Sequence, residues 1–281
     1  MKDLLRNVAR RLASAIQIAG GDPYGNSGQA VQRQLFFHYQ ALRNMNLPLP
    51  VWQETGFSVY SQCDEDGLLL YLFSLLGTTN KVCVDVAFAS PYGANTTNLL
   101  CNWGWTGLLV EGSSSHKRET EAFFHRHKGT FIYPPKVVSA WVTVENINTL
   151  MIENGLSGEI DLFSLDMDGV DYWIWKAMDA IQPRVVMVEY QDVWGPYRSV
   201  TVPYKPDFDR FKINPNYCSA SLPAFIKLAK EKNYRLVGCN RYGFNAFFVR
   251  SDIGTDLFPE IEAEQCFRHP LYKDGVKKVL P

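Results

Sequence analysis

The sequence predicts an α/β fold: five parallel strands, a closing antiparallel hairpin at the C-terminal end, and a helical extension in front. Three observations predict it. Short unbroken apolar runs such as KVCVDVA (81–87), TGLLVE (106–111) and RVVMVE (184–189) read as strands buried on both faces. Amphipathic helical patterns separate these runs, as parallel crossovers require. The last two strand-like runs, YRLVGCN (234–240) and NAFFVRS (245–251), are joined only by Arg241-Tyr242-Gly243-Phe244, a hairpin-length link that contains glycine.

The elements follow in order. Met1 to Ile18 sets Leu4, Leu5, Val8, Leu12, Ala15 and Ile16 at helical spacing, with Lys2, Arg6, Arg10 and Arg11 mostly opposite. It lacks the long apolar core of a secretory signal and is expected to pack on its own domain or on a second subunit. Gly20 to Gly28 (GGDPYGNSG) has linker composition. A second helix is expected from about Val31 to Met45, ended by LPLP (47–50), because proline removes a donor and blocks the preceding turn. Residues 1–57 therefore read as a helical extension, 58–251 as the α/β domain and 252–281 as a tail. Within the domain, helices are expected over 66–76, 95–103, 117–127, 144–154, 172–181 and 221–233. Strands are expected over 81–87, 106–111, 137–142, 159–166 and 184–189, followed by the hairpin.

Composition narrows the function. The 281 residues carry 28 Lys plus Arg against 29 Asp plus Glu, a net charge of −1, which argues against a protein that neutralises phosphates along nucleic acid. No apolar run approaches the roughly 20 residues of a bilayer span. Six cysteines without a C-x-x-C pair fit reduced thiols in a cytoplasmic protein better than a zinc ribbon.

Open α/β sheets bind ligands beyond the carboxyl ends of their strands, at the switch in strand order. That rim collects Asp85 and Ala87 after the first strand, Glu111 after the second, Asp166 and Asp168 after the fourth, and Glu189 after the fifth. Glu111 reads either as an acceptor for two ribose hydroxyls or as part of a solvated helix start. In SLDMDGVDYWIW (164–175), Gly169 is expected to supply the turn's conformational freedom, and Asp168 or Asp171 to cap the next helix. The remaining carboxylates are candidates for cofactor binding, a divalent cation such as Mg, or general base work. The aromatic, proline-rich segment 191–219 reads as a lid over the same rim. Its aromatics would suit a sugar or planar acceptor, and Arg198, Lys205, Arg210 and Lys212 an anionic one.

These segments in order resemble the FkbM-type class I methyltransferases: Ser61-Gln62 with Glu65-Asp66-Gly67, VCVDVA, NTTNLL, WTGLLVEGS, DLFSLDMDGVDYWIWKAM, PRVVMVEY and YRLVGCNRYGFNAFFVR. The likeness covers roughly residues 58–251. It implies a Rossmann-like sheet of seven strands with the last inserted antiparallel, and S-adenosylmethionine as cofactor. It also implies methyl transfer to a hydroxyl of a glycan or small metabolite. By the same resemblance Asp85 supports the turn after the first strand, Glu111 holds the ribose, and Trp141 flanks the adenine. Asp166 lies near the amino-acid end, Asn95 donates to the cofactor carboxylate, and Gln62 with Glu65 closes over the site. Asp168, Glu189 and His116 are the candidate bases, with Asp168 and Glu189 also candidate cation ligands. One departure stands out: Ala87, Ala89, Ser90 and Pro91 occupy a turn where the family carries glycines. Either the turn is rebuilt around Gly93, or cofactor binding is weakened and the chain is a non-catalytic scaffold on the same fold. A dinucleotide or nucleotide-sugar enzyme is disfavoured by the missing glycine fingerprint and the terminal hairpin. The N-terminal helices are expected to allow a homo-oligomer.

Overall fold

The computed structural model describes residues 25–213 and 217–269. The expected helix over 1–18 and the tail beyond 269 lie outside the described residues. Contacts divide the chain into two units, 1–49 and 50–281. In the first, helix α1 spans Gly25–Asn44. It begins inside the stretch that composition reads as linker, so the glycines and Asn26 there do not prevent helix formation.

The second unit is built on a seven-stranded sheet in the order β3-β2-β1-β4-β5-β7-β6. Its strands are β1 (Val82–Val86), β2 (Thr106–Glu111), β3 (Lys136–Ser139), β4 (Gly158–Leu165), β5 (Ile181–Glu189), β6 (Tyr234–Cys239) and β7 (Asn245–Arg250). Helices α2 (Glu65–Leu76), α3 (Thr97–Trp103), α4 (Ser114–Arg126), α5 (Ile147–Glu153), α6 (Asp171–Ala177) and α7 (Leu222–Glu231) fill the connections. Strands β1 to β5 pair in parallel. The hairpin of β6 and β7 is present, but it is not simply appended in chain order. The later strand, β7, inserts between β5 and β6, antiparallel to both. Along β7, Ala246, Phe247, Phe248 and Val249 are fully buried, as an interior strand demands.

Two further expectations shift. β3 stops at Ser139, because the next amide, Ala140 N–H, bonds Glu111 O and turns the chain toward the rim. β5 begins earlier than expected, at Ile181, and takes in Pro183.

One core follows from this topology. Val84, Val86, Phe163, Leu165, Trp175, Val186, Phe225 and Phe248 pack without exposure between the sheet and helices α6 and α7. On the other face α2 is buried along nearly its whole length. Beneath it lies a buried ion pair. Asp161 Oδ1 accepts from Arg184 Nη1 at 2.7 Å, and the same carboxylate accepts the N–H groups of Thr79, Asn80 and Lys81. Arg184 also donates to Leu76 O and Gly77 O, which ties the end of α2 to the start of β1.

Candidate functional site

The switch in strand order falls between β1 and β4, and three adjoining cavities line the carboxyl rim there. The first, about 190 Å³, is mainly apolar and lies between Val86, Val110, Trp141, Met167 and Phe208, with Glu111 at its edge. The second, about 270 Å³, adjoins it at Ala87 and is lined by Asp85, Asn95, Asp166, Asp168 and Gln62. The third, about 200 Å³, adjoins the second at Gln62 and holds Glu189, Gln191, Asp192, Arg210, Cys218 and Phe244.

The turn after β1 has the shape that glycine usually supplies. Ala87 sits at φ 65° and Ala89 at φ 53°, both left-handed, although each carries a Cβ. Backbone bonds hold them there: Ala87 N–H and Phe88 N–H donate to Val110 O, and Ala89 N–H donates to Glu111 Oε2 at 2.7 Å. Gly93, at φ 105°, donates to Tyr60 O and accepts from Gln62 N–H, so it fastens the loop before α2 to the turn. Ala87→Gly is expected to raise stability by about 0.5–1 kcal/mol, since relief of left-handed strain exceeds the added chain entropy. Chemical denaturation measures it, and a lower midpoint would show that the turn is not strained.

Glu111 is buried, and its two oxygens accept from Ala89 N–H and from Ser113 N–H at 2.8 Å. It therefore shapes the turn, and each oxygen retains a lone pair that a ligand hydroxyl could use. Removing it in Glu111→Ala leaves two backbone donors unsatisfied, with an expected loss of about 1–3 kcal/mol of stability. Glu111→Gln, which keeps one acceptor, should lose roughly half as much; thermal melts of both variants check the order.

Asp85 is buried, accepts from Thr96 Oγ1 at 2.8 Å, and burial pushes its carboxyl up to about 7. Asn95 faces the second cavity and donates to Ser164 Oγ at 3.5 Å; the N-cap position of α3 belongs to Thr96, not to Asn95. Gln62 stands where the second and third cavities meet. Glu65 lines none of the three cavities. It is fully buried and accepts from Cys63 N–H, Asn240 Nδ2 and Asn245 Nδ2, so it locks α2 to the β6–β7 hairpin. Asp66 accepts three successive amides, Val59, Tyr60 and Ser61, and shapes the loop that carries Gln62.

After β4 the chemistry differs from expectation. Asp168, not Gly169, takes the left-handed conformation, at φ 54°. Gly169 serves close packing instead: a Cβ there would lie 3.3 Å from the Phe208 ring. Asp171 shapes the turn by accepting from Met167 N–H at 2.7 Å and Gly169 N–H at 3.0 Å. Neither Asp168 nor Asp171 caps α6, whose N-cap is Val170.

Asp166, Asp168 and Glu189 converge, with one oxygen of each within 4.8 Å of the others. Asp166 and Glu189 lie side by side, and burial together with the neighbouring carboxylates pushes the Asp166 carboxyl up to about 7 and that of Glu189 well above its ordinary value. Asp168 instead pairs with the guanidinium of Arg210 from the long loop. His116 lies elsewhere. It is half exposed on α4, with Nδ1 3.5 Å from Glu111, and lines none of the three cavities.

The described residues of the long loop, 191–213 and 217–219, overhang the rim. Trp141 Nε1 donates to Pro206 O at 2.6 Å, Tyr204 Oη bonds Val144 N–H and Glu145, and Trp173 Nε1 donates to Val202 O. These bonds set Phe208 as a wall of the first cavity. Phe208 is one of the loop aromatics expected over the rim, whereas Met167, an apolar side chain on a turn, carries no chemical signal of its own in the sequence.

No protein-family model matches the sequence, and none of the curated proteins matches it. Solved structures resemble it at low identity. An O-methyltransferase from Bacillus cereus in complex with SAH is 15% identical, with 76% of this chain and 88% of that chain covered and a TM-score of 0.42. A Staphylococcus aureus protein provisionally named a caffeoyl-CoA O-methyltransferase is 11% identical, with 79% and 99% covered and a TM-score of 0.44. The glycopeptide N-methyltransferase MtfA in complex with SAM is 7% identical, with 66% and 93% covered and a TM-score of 0.41. Similarity at this level assigns neither a substrate nor any residue's role. Among the described residues, no helix is long and apolar enough to cross a membrane.

Proposed function

We propose that the chain is an S-adenosylmethionine-dependent O-methyltransferase of the FkbM type, acting in the cytoplasm on a hydroxyl of a glycan or small metabolite. The observation that carries this reading is the row of three adjoining cavities, apolar at one end and carboxylate-lined at the other. An adenine ring suits the space between Val86, Val110, Trp141, Met167 and Phe208, and Glu111 borders it where a ribose would lie. The positively charged amino and sulfonium groups suit the buried Asp85 and the half-buried Asp166, neither of which forms an ion pair among the described residues. The third cavity then receives the acceptor.

When bound, the cofactor supplies an activated methyl group. The protein's own residues align and exclude water, and the Asp166–Glu189 pair takes the acceptor's hydroxyl proton. A divalent cation is not needed in this scheme. Arg210 already supplies positive charge at Asp168, and burial beside Asp166 disfavours the charged form of Glu189 that a cation would need. Turnover is accordingly expected to survive a chelator; loss of activity restored by Mg would return Asp168 and Glu189 to the role of metal ligands.

Calorimetric titration with S-adenosylmethionine tests the reading. Binding of a cation should lower the raised pKa of Asp85, so protons are released near pH 7 and affinity increases from pH 6 to pH 8. Heats measured in two buffers of different ionisation enthalpy count those protons. Absence of binding would favour the scaffold alternative, in which the alanine-built turn no longer admits the cofactor.

A further inference from the structure

Asp168, which lines the second cavity, and Arg210, which lines the third, are far apart in sequence yet form an ion pair where the two cavities adjoin. Arg210 lies on the long loop, in the short helical turn Arg210–Lys212. It is the one cationic side chain among the described residues that line this cavity. Its Nη1 also reaches Cys218 Sγ at 3.6 Å, and its guanidinium lies 5.0 Å from the centre of the Phe211 ring. Lys212, the other cation of that turn, pairs with Asp209 at 3.3 Å. The rest of the wall offers carboxyl, amide and thiol groups: Glu189, Asp192, Gln62, Gln191 and Cys218, with Phe244 as an aromatic surface. An anionic acceptor would have to take Arg210 from Asp168 and then face Glu189 and Asp192. A hydroxyl-bearing neutral molecule meets donors and acceptors without displacing any charge.

We propose that Asp168 is a positioning residue that latches Arg210 at the wall of the acceptor cavity, so that the cavity selects an uncharged, polyhydroxylated acceptor over an anionic one. The term acceptor rests on the methyltransferase reading; the latch itself does not. Of the two acceptors that the loop's composition leaves open, the ion pair favours the sugar-like one, because the loop cation that reaches the cavity is already paired.

Two measurements on the full chain, neither requiring S-adenosylmethionine, test it. The first is amide hydrogen exchange of the peptide covering 204–213. Asp168→Asn and Arg210→Gln should each speed exchange severalfold and to the same extent, with no further increase in the double variant. Asparagine tolerates the left-handed φ of position 168, so strain is not a confounding cause. Additive effects, or none, overturn the latch. The second is binding of methyl pyranosides and their matched uronides, followed by ligand-observed NMR. Wild type should prefer the neutral member by tenfold or more. Asp168→Asn should narrow that preference about tenfold by freeing Arg210, and the double variant should not. A wild-type preference for the uronide, an equal response, or no response to either overturns the selectivity. Failure of cofactor binding in the calorimetry would remove the methyltransferase reading while leaving both of these results standing.

Discussion

Glu189→Gln is expected to slow methyl transfer by about 10²- to 10⁴-fold, the range attributed to a positioned acid or base. The side chain sits half-buried at the end of β5, with its buried Oε2 lacking a hydrogen-bond donor and its carboxyl close to that of Asp166. Burial and the neighbouring negative charge of Asp166 raise its pKa. A base must be unprotonated to act, so the wild-type rate should climb as pH rises through that raised pKa. Glutamine cannot titrate, and the climb should flatten in the variant. The amide retains the size of the carboxyl, so a packing defect would instead lower the rate without altering its pH profile. A variant within a few-fold of wild type, with the same profile, would remove Glu189 from the chemistry.

Arg184→Met is expected to cost about 3–5 kcal/mol of stability, because it leaves Asp161 buried and charged without its partner. For a domain of this size that is a fall in melting temperature of roughly 10 °C. Burial alone would raise the Asp161 pKa, but the Arg184 bond and the three backbone amides overcome it and hold the carboxyl below its ordinary value. The sign follows from that direction. A carboxyl with a depressed folded pKa contributes its full stability above its unfolded value, roughly 4, and loses it as pH falls through the folded value. In the variant the cause of the depression is gone. The deficit relative to wild type should therefore be largest near neutral pH and shrink below about pH 4. A deficit independent of pH would mean that Arg184 acts through packing or through its bonds to Leu76 O and Gly77 O alone. Replacing both partners, as Asp161→Leu with Arg184→Met, should recover part of the loss.

Much of the sheet was legible because its strands are buried on both faces and read as unbroken apolar runs. TGLLVE matches β2 from Thr106 to Glu111 without adjustment. The rim carboxylates were legible for a related reason. Asp85, Glu111, Asp166 and Glu189 each interrupt or end an apolar strand, which marks where a sheet meets a ligand. What escaped notice depends on distant partners. Glu65 stands near the motif containing Gln62, yet its carboxylate is spent on Asn240 and Asn245, and nothing local announces that. The left-handed turn at Ala87 and Ala89 runs against residue preference and is held by Val110 O and Glu111, an arrangement visible only once β1 and β2 are side by side. The hairpin length predicts only that β6 and β7 pair; the place of β7 next to β5 was implied by the family resemblance and not by any local feature of the chain. Gly238 in β6 shows one constraint on the outer position: a Cβ there would come 2.3 Å from Trp52, whose indole donates to Cys239 O.

The inserted strand also sets a timetable for synthesis. β5 is complete once Glu189 has emerged from the ribosome, but its neighbour begins only at Asn245, and β6 cannot serve in its stead. Until then the nascent sheet carries a bare, strongly apolar margin along Val185 to Val188, able to zip onto another chain. Chaperone occupancy on translating chains should therefore persist to the end of β7, and products truncated before Asn245 should collect in inclusion bodies.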